Sequence, residues 1–317
     1  MIPWATAWQH ALYAEGGFYR DASGPAGHFT TSCHGALGVV FASAIGRLAE
    51  REGLATIVDV GSGRGELLGF LAASPVAADV RLLGVDVVAP QGLPHPVAWR
   101  RSDGGSDIPD LHDLGPALVI ANEWLDVVPC VVAEADASGR VREVLVDGAG
   151  RESLGSAVSA GDRAWASRWW PARRGVDRWV RGERIEIGRS RDEAYAGLLA
   201  ACAPGSLVVA IDYGHLRADR PAGGTLTGYR AGHQVSPVPD ATCDLTAHVA
   251  MDALGADRLI TQRDALGELG LVGERASYEQ ARSDPRGYLA ALERNSAISA
   301  LRGPGLGDFW WAISRVP

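Results

Sequence analysis

The sequence lacks the features that identify several whole classes of protein. Its four cysteines, Cys33, Cys130, Cys202 and Cys243, lie far apart and form no Cys-x-x-Cys pair, so neither a zinc site nor a disulfide framework is expected. No apolar stretch reaches the ~18–20 residues that would span a bilayer. The first 20 residues have neither a basic start nor an apolar run, so no secretory or mitochondrial signal is evident. We therefore expect a cytoplasmic protein without membrane insertion.

Basic residues are also fewer than acidic residues in this sequence. The net charge is −8 and the pI is near 5.5, whereas a general nucleic-acid binder usually has a basic footprint. There is no internal repeat and no low-complexity linker. The 317 residues, 47% of them apolar, are enough for one large α/β domain with an insertion or for two domains. A homodimer is left open.

Hydrophobic patterning predicts strands that alternate with helices. The predicted strands are 56–60, 80–85, 96–100, 117–121, 129–135, 141–146, 207–211 and 309–316, of which 129–135 and 141–146 suggest a hairpin. The predicted helices are 3–14, 35–52, 66–73, 192–202, 262–269 and 285–301, and the predicted loops are 15–32 and 215–244. This alternation indicates an α/β fold with a mainly parallel sheet and helices on both faces.

The same patterning divides the chain into four regions. We expect an N-terminal helical segment with a cofactor-covering loop at 1–54 and the first half of a cofactor-binding core at 55–147. An insertion or lid follows at 148–192, and the second half of the core, with a long substrate loop, occupies 193–317. The insertion contains four tryptophans, which indicate packing inside the insertion or, alternatively, an aromatic cage for a cationic group.

A glycine-rich loop follows the predicted strand 56–60. Gly61, Gly63 and Gly65 form G-x-G-x-G, and glycines there permit positive φ and close approach of a ligand to the backbone. The start of the following helix offers unpaired N–H groups to an anionic group, such as the methionine carboxylate of S-adenosylmethionine. Asp59 can accept from the ammonium of that cofactor, and Ser62 lies within the loop.

An acidic residue at the end of the next strand supports the same interpretation. A carboxylate at Asp86 can accept hydrogen bonds from both hydroxyls of a ribose. A dinucleotide site would need G-x-G-x-x-G, with glycine at position 66, where this sequence has Glu66. The pattern therefore favours S-adenosylmethionine, while a dinucleotide or a glycine turn without ligand stays open.

Candidate catalytic residues follow the predicted strand 117–121. In open parallel sheets, ligands bind beyond the carboxyl ends of the strands, so Asn122 and Glu123 are expected beside the glycine loop. Asn122 can orient a nucleophile, and Glu123 can hold a cationic nucleophile and accept its proton. The alternative is that Asn122 and Asp126 only cap a helix.

A second polar cluster follows the predicted strand 207–211. Asp212 and Tyr213 are candidates for the rim of a substrate site, as is the adjacent His215. A turn in which Asp212 bonds its own backbone is the alternative.

An ordered set of motifs across nearly the whole chain resembles the MidA-like family, which includes the mitochondrial complex I assembly arginine methyltransferase. The similarity is closest to its high-GC bacterial branch. The matching segments are 13–19, 27–32, 61–65, Asn122-Glu123-x-x-Asp126-x-x-Pro129, 182–188, 212–214, 224–230, 244–249 and 261–262.

The resemblance implies a Rossmann-like class I methyltransferase fold, S-adenosylmethionine as cofactor and S-adenosylhomocysteine as product. It also implies methylation of an ω-nitrogen of protein arginine. It adds Thr31, Ser32 and Asp103 to the cofactor-binding candidates and Glu186 to the substrate-binding candidates, with no metal. Two departures from the family pattern weaken the case for an arginine substrate. His28 replaces an aspartate, and Cys33-His34 replaces a Pro-Glu pair.

Three functions are therefore compatible with the sequence. The first is a methyltransferase that acts on protein arginine. The second is a methyltransferase that acts on oxygen or nitrogen of a small molecule. The third is a non-catalytic assembly factor that retains the fold and binds a partner protein.

Overall fold

The computed structural model describes residues 1–20, 32–33, 35–75, 79–94, 97–172, 179–274 and 277–317. The helices are α1 (Trp4–Tyr13), α2 (Gly35–Glu52), α3 (Glu66–Ala72), α4 (Ala160–Trp169), α5 (Arg189–Ala201), α6 (Gln262–Glu268), α7 (Tyr278–Ser283) and α8 (Pro285–Arg302). The strands are β1 (Ile2–Pro3), β2 (Thr56–Val60), β3 (Arg81–Asp86), β4 (Ala98–Arg101), β5 (Leu118–Asn122), β6 (Val131–Ala135), β7 (Val141–Val146), β8 (Glu152–Ala157), β9 (Arg184–Ile187), β10 (Leu207–Asp212), β11 (Gly214–His215), β12 (Thr227–Arg230), β13 (His233–Val235), β14 (Asp244–Thr246), β15 (Val249–Ala250), β16 (Arg258–Thr261) and β17 (Trp310–Arg315).

A seven-stranded sheet forms the centre of the protein, in the order β16-β17-β10-β5-β2-β3-β4. The five strands from β10 to β4 pair in parallel. Strand β17 is antiparallel to both of its neighbours. The predicted α/β fold with a mainly parallel sheet is confirmed. Strands β2, β5 and β10 were identifiable because strands buried on both faces consist of nearly continuous apolar residues.

Alternate residues of these strands pack into two different cores. Ile57 and Leu118 lie with the apolar faces of α2, α3, α6 and α8 in one buried cluster. Their neighbours Val58 and Val119 lie in the opposite cluster with residues of α5. Helices therefore cover both faces of the sheet, and the ends of its strands remain available to form a ligand site.

A second sheet, β1-β7-β6-β9 with β8 paired to β7, lies apart from the central one. The predicted hairpin is confirmed, with Ala133 of β6 opposite Glu143 of β7 in an antiparallel pair. Strand β6 lies in this second sheet and not in the central one. The five-residue connection to β7 permits an antiparallel pair but no crossover to a parallel position.

The two faces of the second sheet are covered by aromatic helices. On one face, Trp4 and Trp8 of α1 pack with Val132 and Val144. On the other face, Trp165 of α4 packs in a cluster with further tryptophans and with residues of β6 and β9. The tryptophans of residues 165–179 therefore contribute to packing.

The predicted loop 215–244 contains a small sheet. Strands β12, β13 and β14 pair antiparallel, and Arg230 lies opposite His233 across a two-residue turn. Both turn residues, Ala231 and Gly232, have positive φ, as hairpin turns of this kind require. The prediction failed because alanine is not typical of that turn position.

Several other elements had no prediction, among them α4, α7, β8, β9 and β16. For α4 a signal was available, because the hydroxyl of Ser159 accepts from the backbone N–H of Asp162 and caps the helix. Serine followed three residues later by an acidic residue is typical of a helix start. Within the described part of the chain, no helix combines the length and apolar character needed to cross a membrane.

Candidate active site

A cavity of about 440 Å³ lies at the carboxyl ends of β2, β3 and β5. The chain runs from β2 to β3 on one side and returns to β5 on the other side of β2. Such a reversal of strand order leaves a crevice in which α/β proteins bind their ligands. The predicted residues Asp59, Gly61, Ser62, Gly63, Asp86, Asn122, Glu123, Asp126 and Tyr213 all line the cavity.

The glycine loop has the backbone conformation that its composition predicted. Gly61 and Gly63 have φ of 69° and 61°, a region that residues with a Cβ rarely adopt. Added at Gly61, a Cβ would contact the Trp124 ring at 3.4 Å. Gly65, predicted to bind the cofactor, does not line the cavity. Its Cβ position faces Leu93 at 2.6 Å, so glycine there serves the packing of this turn.

The two predicted cofactor carboxylates are buried at the loop. Asp86 accepts from the backbone N–H of Gly63 at 2.8 Å and from that of Val88 at 3.1 Å. Asp59 accepts from the Ser62 hydroxyl at 2.6 Å. Burial raises the pKa of Asp59 to about 7 and that of Asp86 to about 6. Both carboxyls are thus placed where a cationic or hydroxyl-rich ligand would stabilise the charged form.

The segment after β5 brings three acceptor groups to the cavity. Asn122 donates its amide N–H to Glu123 Oε1 at 3.1 Å. Asp126 Oδ2 accepts from the Thr246 hydroxyl at 2.6 Å and from the Tyr213 hydroxyl. Asn122 Oδ1 and Asp126 Oδ1 are buried and have no hydrogen-bond partner among the described residues. Buried acceptors without partners are rare and call for an explanation.

Acidic residues predominate among the charged side chains of this cavity. Seven acidic residues line it, and its described lining contains no arginine or lysine. Burial, with the charge of Asp126 adding to it, raises the pKa of Glu123 to about 7. Burial likewise raises the pKa of Asp126 and that of Asp244. The site therefore suits a ligand that carries positive charge and several N–H donors.

Three substrate candidates lie outside the cavity. The Asp212 carboxylate accepts from the backbone N–H of Leu125 at 2.9 Å and of Asp126 at 3.2 Å. Glu186 accepts from the backbone N–H groups of Thr225 and Leu226. His215 packs edge-on against Trp170, with centroids 4.9 Å apart.

The remaining cofactor candidates are placed as follows. Asp103 does not line the cavity, and its backbone N–H donates to Asp107 at 2.8 Å. Ser32 is fully buried, and its N–H bonds the Glu123 carboxylate, which opposes the rise in the pKa of Glu123. Thr31, His28 and His34 lie outside the described residues.

Sequence reasoning missed part of the cavity lining. Ser102, Gly104, Gly105 and Asp107 follow β4, so the rule on strand carboxyl ends would have found them. Thr246, in the motif segment 244–249, and Phe309, at the start of a predicted strand, were given no role in the site, because they come from parts of the chain far from the strand ends. Among the described residues, no group of three or more potential ligands is placed to hold a metal ion.

The fold is similar to two solved structures from Burkholderia thailandensis. One is bound to S-adenosyl-homocysteine and has a TM-score of 0.74 at 22% identity. The other, an uncharacterized native protein, has a TM-score of 0.72 at 23% identity. Each similarity covers 100% of this chain and 88% of the other chain. No curated protein matches the sequence.

A family model identifies the chemistry. Residues 71–267, more than half of the chain, match the family described as "Putative S-adenosyl-L-methionine-dependent methyltransferase". This agrees with the resemblance drawn from the sequence motifs, and it sets aside the non-catalytic alternative. The chain belongs to this family and is an S-adenosyl-L-methionine-dependent methyltransferase.

Proposed function

We propose that the protein methylates a guanidinium nitrogen of an arginine side chain in a protein substrate. One observation carries this proposal: Asn122 Oδ1 and Asp126 Oδ1 are buried without partners among the described residues. The Glu123 carboxylate lies in the same cavity lining. A guanidinium has five N–H donors and a permanent charge, so it can satisfy these oxygens together.

We assign the cofactor to the half of the cavity at the glycine loop. Each Asp86 oxygen accepts one backbone N–H and keeps a second lone pair for a ribose hydroxyl. Gly61 and Gly63 leave room for the amino-acid part of the cofactor near Asp59. The segment 102–107 then borders the adenine. On this assignment the central sheet is a Rossmann-like class I methyltransferase core, and strands β6 to β9 of the second sheet belong to an inserted subdomain with which β1 pairs.

The assigned residues explain methyl transfer to nitrogen. The bound cofactor supplies a methyl group on a positively charged sulfur. Asn122 and Asp126 orient the guanidinium so that one nitrogen forms the new N–C bond, while the electrons of the broken C–S bond remain on sulfur. Glu123 accepts the proton that this nitrogen releases. Its pKa of about 7 suits a proton acceptor near neutrality.

A small-molecule acceptor is the second candidate, supported by the aromatic wall of the cavity. The Tyr213 ring lies 5.3 Å from Phe309 and 5.2 Å from His248, measured between centroids. A flat O- or N-nucleophile would pack against these rings. Cys33 also lines the cavity, and the next residue in the sequence, His34, replaces the glutamate of the family's Pro-Glu pair, so an acidic group that would attract a cation is lost.

The two candidates are separated by tracing the methyl group. Wild-type protein and a Glu123→Gln variant are incubated with cell extract and methyl-labelled S-adenosylmethionine. We expect label in precipitated protein, recovered as methylarginine after hydrolysis, with wild type only. Glu123→Gln should still bind S-adenosylhomocysteine in calorimetry. Label confined to the small-molecule fraction would exclude the protein substrate. Normal transfer by Glu123→Gln would exclude its role as proton acceptor.

Location and assembly stay predictions. The four cysteines are all described and form no disulfide, which is consistent with the cytoplasmic location that we propose. A homodimer and a bacterial source are likewise expectations from the sequence.

A further inference from the structure

The loop between β5 and β6 carries the proposed catalytic groups in a strained conformation. Glu123 has φ of 53°, in the left-handed region that is unfavourable for a residue with a Cβ. Such strain persists only where the surrounding structure holds it. The Glu123 N–H donates to Ile211 O at 2.8 Å, but this single bond leaves the rest of the loop to be held by other groups.

Asp212 holds the loop from one side. Its carboxylate is completely buried at the end of β10. It accepts from two successive backbone N–H groups of the loop, those of Leu125 and Asp126. Burial, together with the nearby Asp126 and Glu123, raises the pKa of Asp212 well above its usual range. Its two hydrogen bonds, made to buried backbone donors that would otherwise be left unpaired, restrain the turn that follows Glu123.

Arg191 holds the loop from the other side. Its side chain on α5 is 1% exposed. Its guanidinium donates to the carbonyl of Asp126 at 2.6 Å and to that of Val128 at 3.0 Å. The same group donates to the carbonyls of Ala247 and His248 at 3.0 and 2.9 Å. It also lies 5.5 Å from the Trp8 ring centroid.

All four of these hydrogen bonds end on backbone carbonyls. Within the described part of the chain, Arg191 forms no ion pair with a carboxylate, although burying an unpaired charge is costly. The guanidinium joins the loop after β5 to residues 247–248, directly after Thr246, which donates to Asp126. Burial raises the pKa of Asp126 and that of Asp212, and the charge of Arg191 opposes part of both rises.

We infer that Arg191 and Asp212 form a hydrogen-bonded bracket that holds residues 123–128 in the geometry required for methyl transfer. Arg191 binds the carbonyl groups of the loop and Asp212 binds its N–H groups, so two buried side chains from two elements hold one segment. Arg191 is thus a positioning residue, and Asp212 serves the active site without lining it. The inference rests on the proposed function insofar as that function makes this loop catalytic.

The test uses three variants of the full chain. Arg191→Met removes the charge and all four hydrogen bonds, whereas Arg191→Lys keeps the charge but cannot reach four carbonyls from one point. Arg220→Met is the matched control. The Arg220 side chain is 4% exposed and bonds Trp169 O at 2.9 Å, His215 and Asp252, away from the bracket. Melting temperature, methyl transfer and amide hydrogen exchange of a peptide covering 121–130 are measured for each variant.

We expect both Arg191 variants to exchange faster in this peptide and to lower kcat by about 10- to 100-fold, as small misplacements of catalytic groups do. Their affinity for S-adenosylhomocysteine should change far less. Arg191→Met alone should move the acidic limb of the pH–rate profile to higher pH, because Asp126, which orients the guanidinium, loses a positive charge that lowers its pKa. Arg220→Met should leave the exchange and kcat at wild-type values, even if its melting temperature falls.

Wild-type exchange and kcat in Arg191→Met would overturn the inference. The inference would also be overturned if Arg220→Met lost as much kcat and exchange protection as the Arg191 variants at an equal drop in melting temperature. Such a result would show a general loss of stability. If the wild-type protein transfers no methyl group, the proposed function fails separately. Hydrogen exchange of the peptide covering 121–130 then tests whether Arg191 holds the loop, without any assay of activity.

Discussion

Asp86 holds the backbone of the glycine loop in place and can still bind a ligand. Its two oxygens hold the N–H groups of Gly63 and Val88, which fixes the glycine loop against the end of β3. The position at a strand end was readable from the sequence. The two backbone bonds were not, because they depend on how the loop folds back.

Substituting Asp86 tests the cofactor assignment at the residue scale. Asp86→Ala should weaken S-adenosylhomocysteine binding by about 1–3 kcal/mol, since both the ribose bonds and the support of the loop are lost. Calorimetry measures the affinity. Asp113→Ala, which removes a carboxylate exposed outside the cavity and paired with Arg100, should leave it unchanged. Unaltered binding by Asp86→Ala would remove Asp86 from the cofactor site.

Glu123 marks the limit of sequence reasoning at this scale. Its position after a buried strand and its acidity predicted a proton acceptor. Its left-handed backbone had no signal, because glycine or asparagine is the usual residue in that region. The conformation follows from contacts with β10 and α5, which are far away in sequence.

At the scale of elements, Glu186 connects two parts of the fold. It lies on β9, is 2% exposed, and accepts from Thr225 Oγ1 at 2.7 Å and from Leu226 N at 2.8 Å. These bonds fasten the segment before β12 to the second sheet. The sequence motif around Glu186 predicted substrate binding, whereas its contacts favour a structural role.

The prediction for Glu186→Gln follows from these contacts. Loss of charged hydrogen bonds to buried donors should lower the free energy of unfolding by about 1.5–3 kcal/mol, with S-adenosylhomocysteine affinity unchanged. Denaturant unfolding measures the first quantity and calorimetry the second. Glu193→Gln, at an exposed ion pair with Arg189, should change stability by less than about 0.5 kcal/mol. A stable Glu186→Gln that lost activity would restore the substrate role.

For the whole molecule, the concentration of buried acids couples folding to pH. The pKa values of Asp59 and Glu123, both about 7, and that of Asp86, about 6, lie above the ordinary range. The folded protein then binds protons that the unfolded chain releases above about pH 4. The stability contributed by these groups is complete below that pH and is lost as the pH rises through about 7.

Glu123→Gln removes one of these groups without adding a charge. Measured without cofactor, its free energy of unfolding relative to wild type should rise from about pH 5 to about pH 8, by about 1–3 kcal/mol. Asp113→Asn is the control, because the pKa of Asp113 is shifted in the opposite direction: Arg100 holds it below its usual range. The difference in free energy of unfolding between Asp113→Asn and wild type should stay constant over that interval and become smaller only at acidic pH. A flat Glu123→Gln difference would contradict the raised pKa.

The sequence by itself determined the central strands, most helices and the cofactor class. These depend on local patterns: apolar runs in strands buried on both faces, and a glycine loop directly after the first of them. The same logic placed Asp59, Asp86, Asn122 and Glu123 in one cavity, because parallel strands end at one edge.

Only the tertiary structure decided what the remaining polar residues do. Asp212 and Glu186 lie in motif segments that are compatible with either ligand binding or structural support. Arg191 lies just before the predicted helix 192–202, and no pattern in the sequence singled it out. The roles of all three depend on contacts between residues about 40 to 90 positions apart, and local periodicity carries no information about such distances. The acidic cavity likewise arises from strand ends and loops that come together only in the fold.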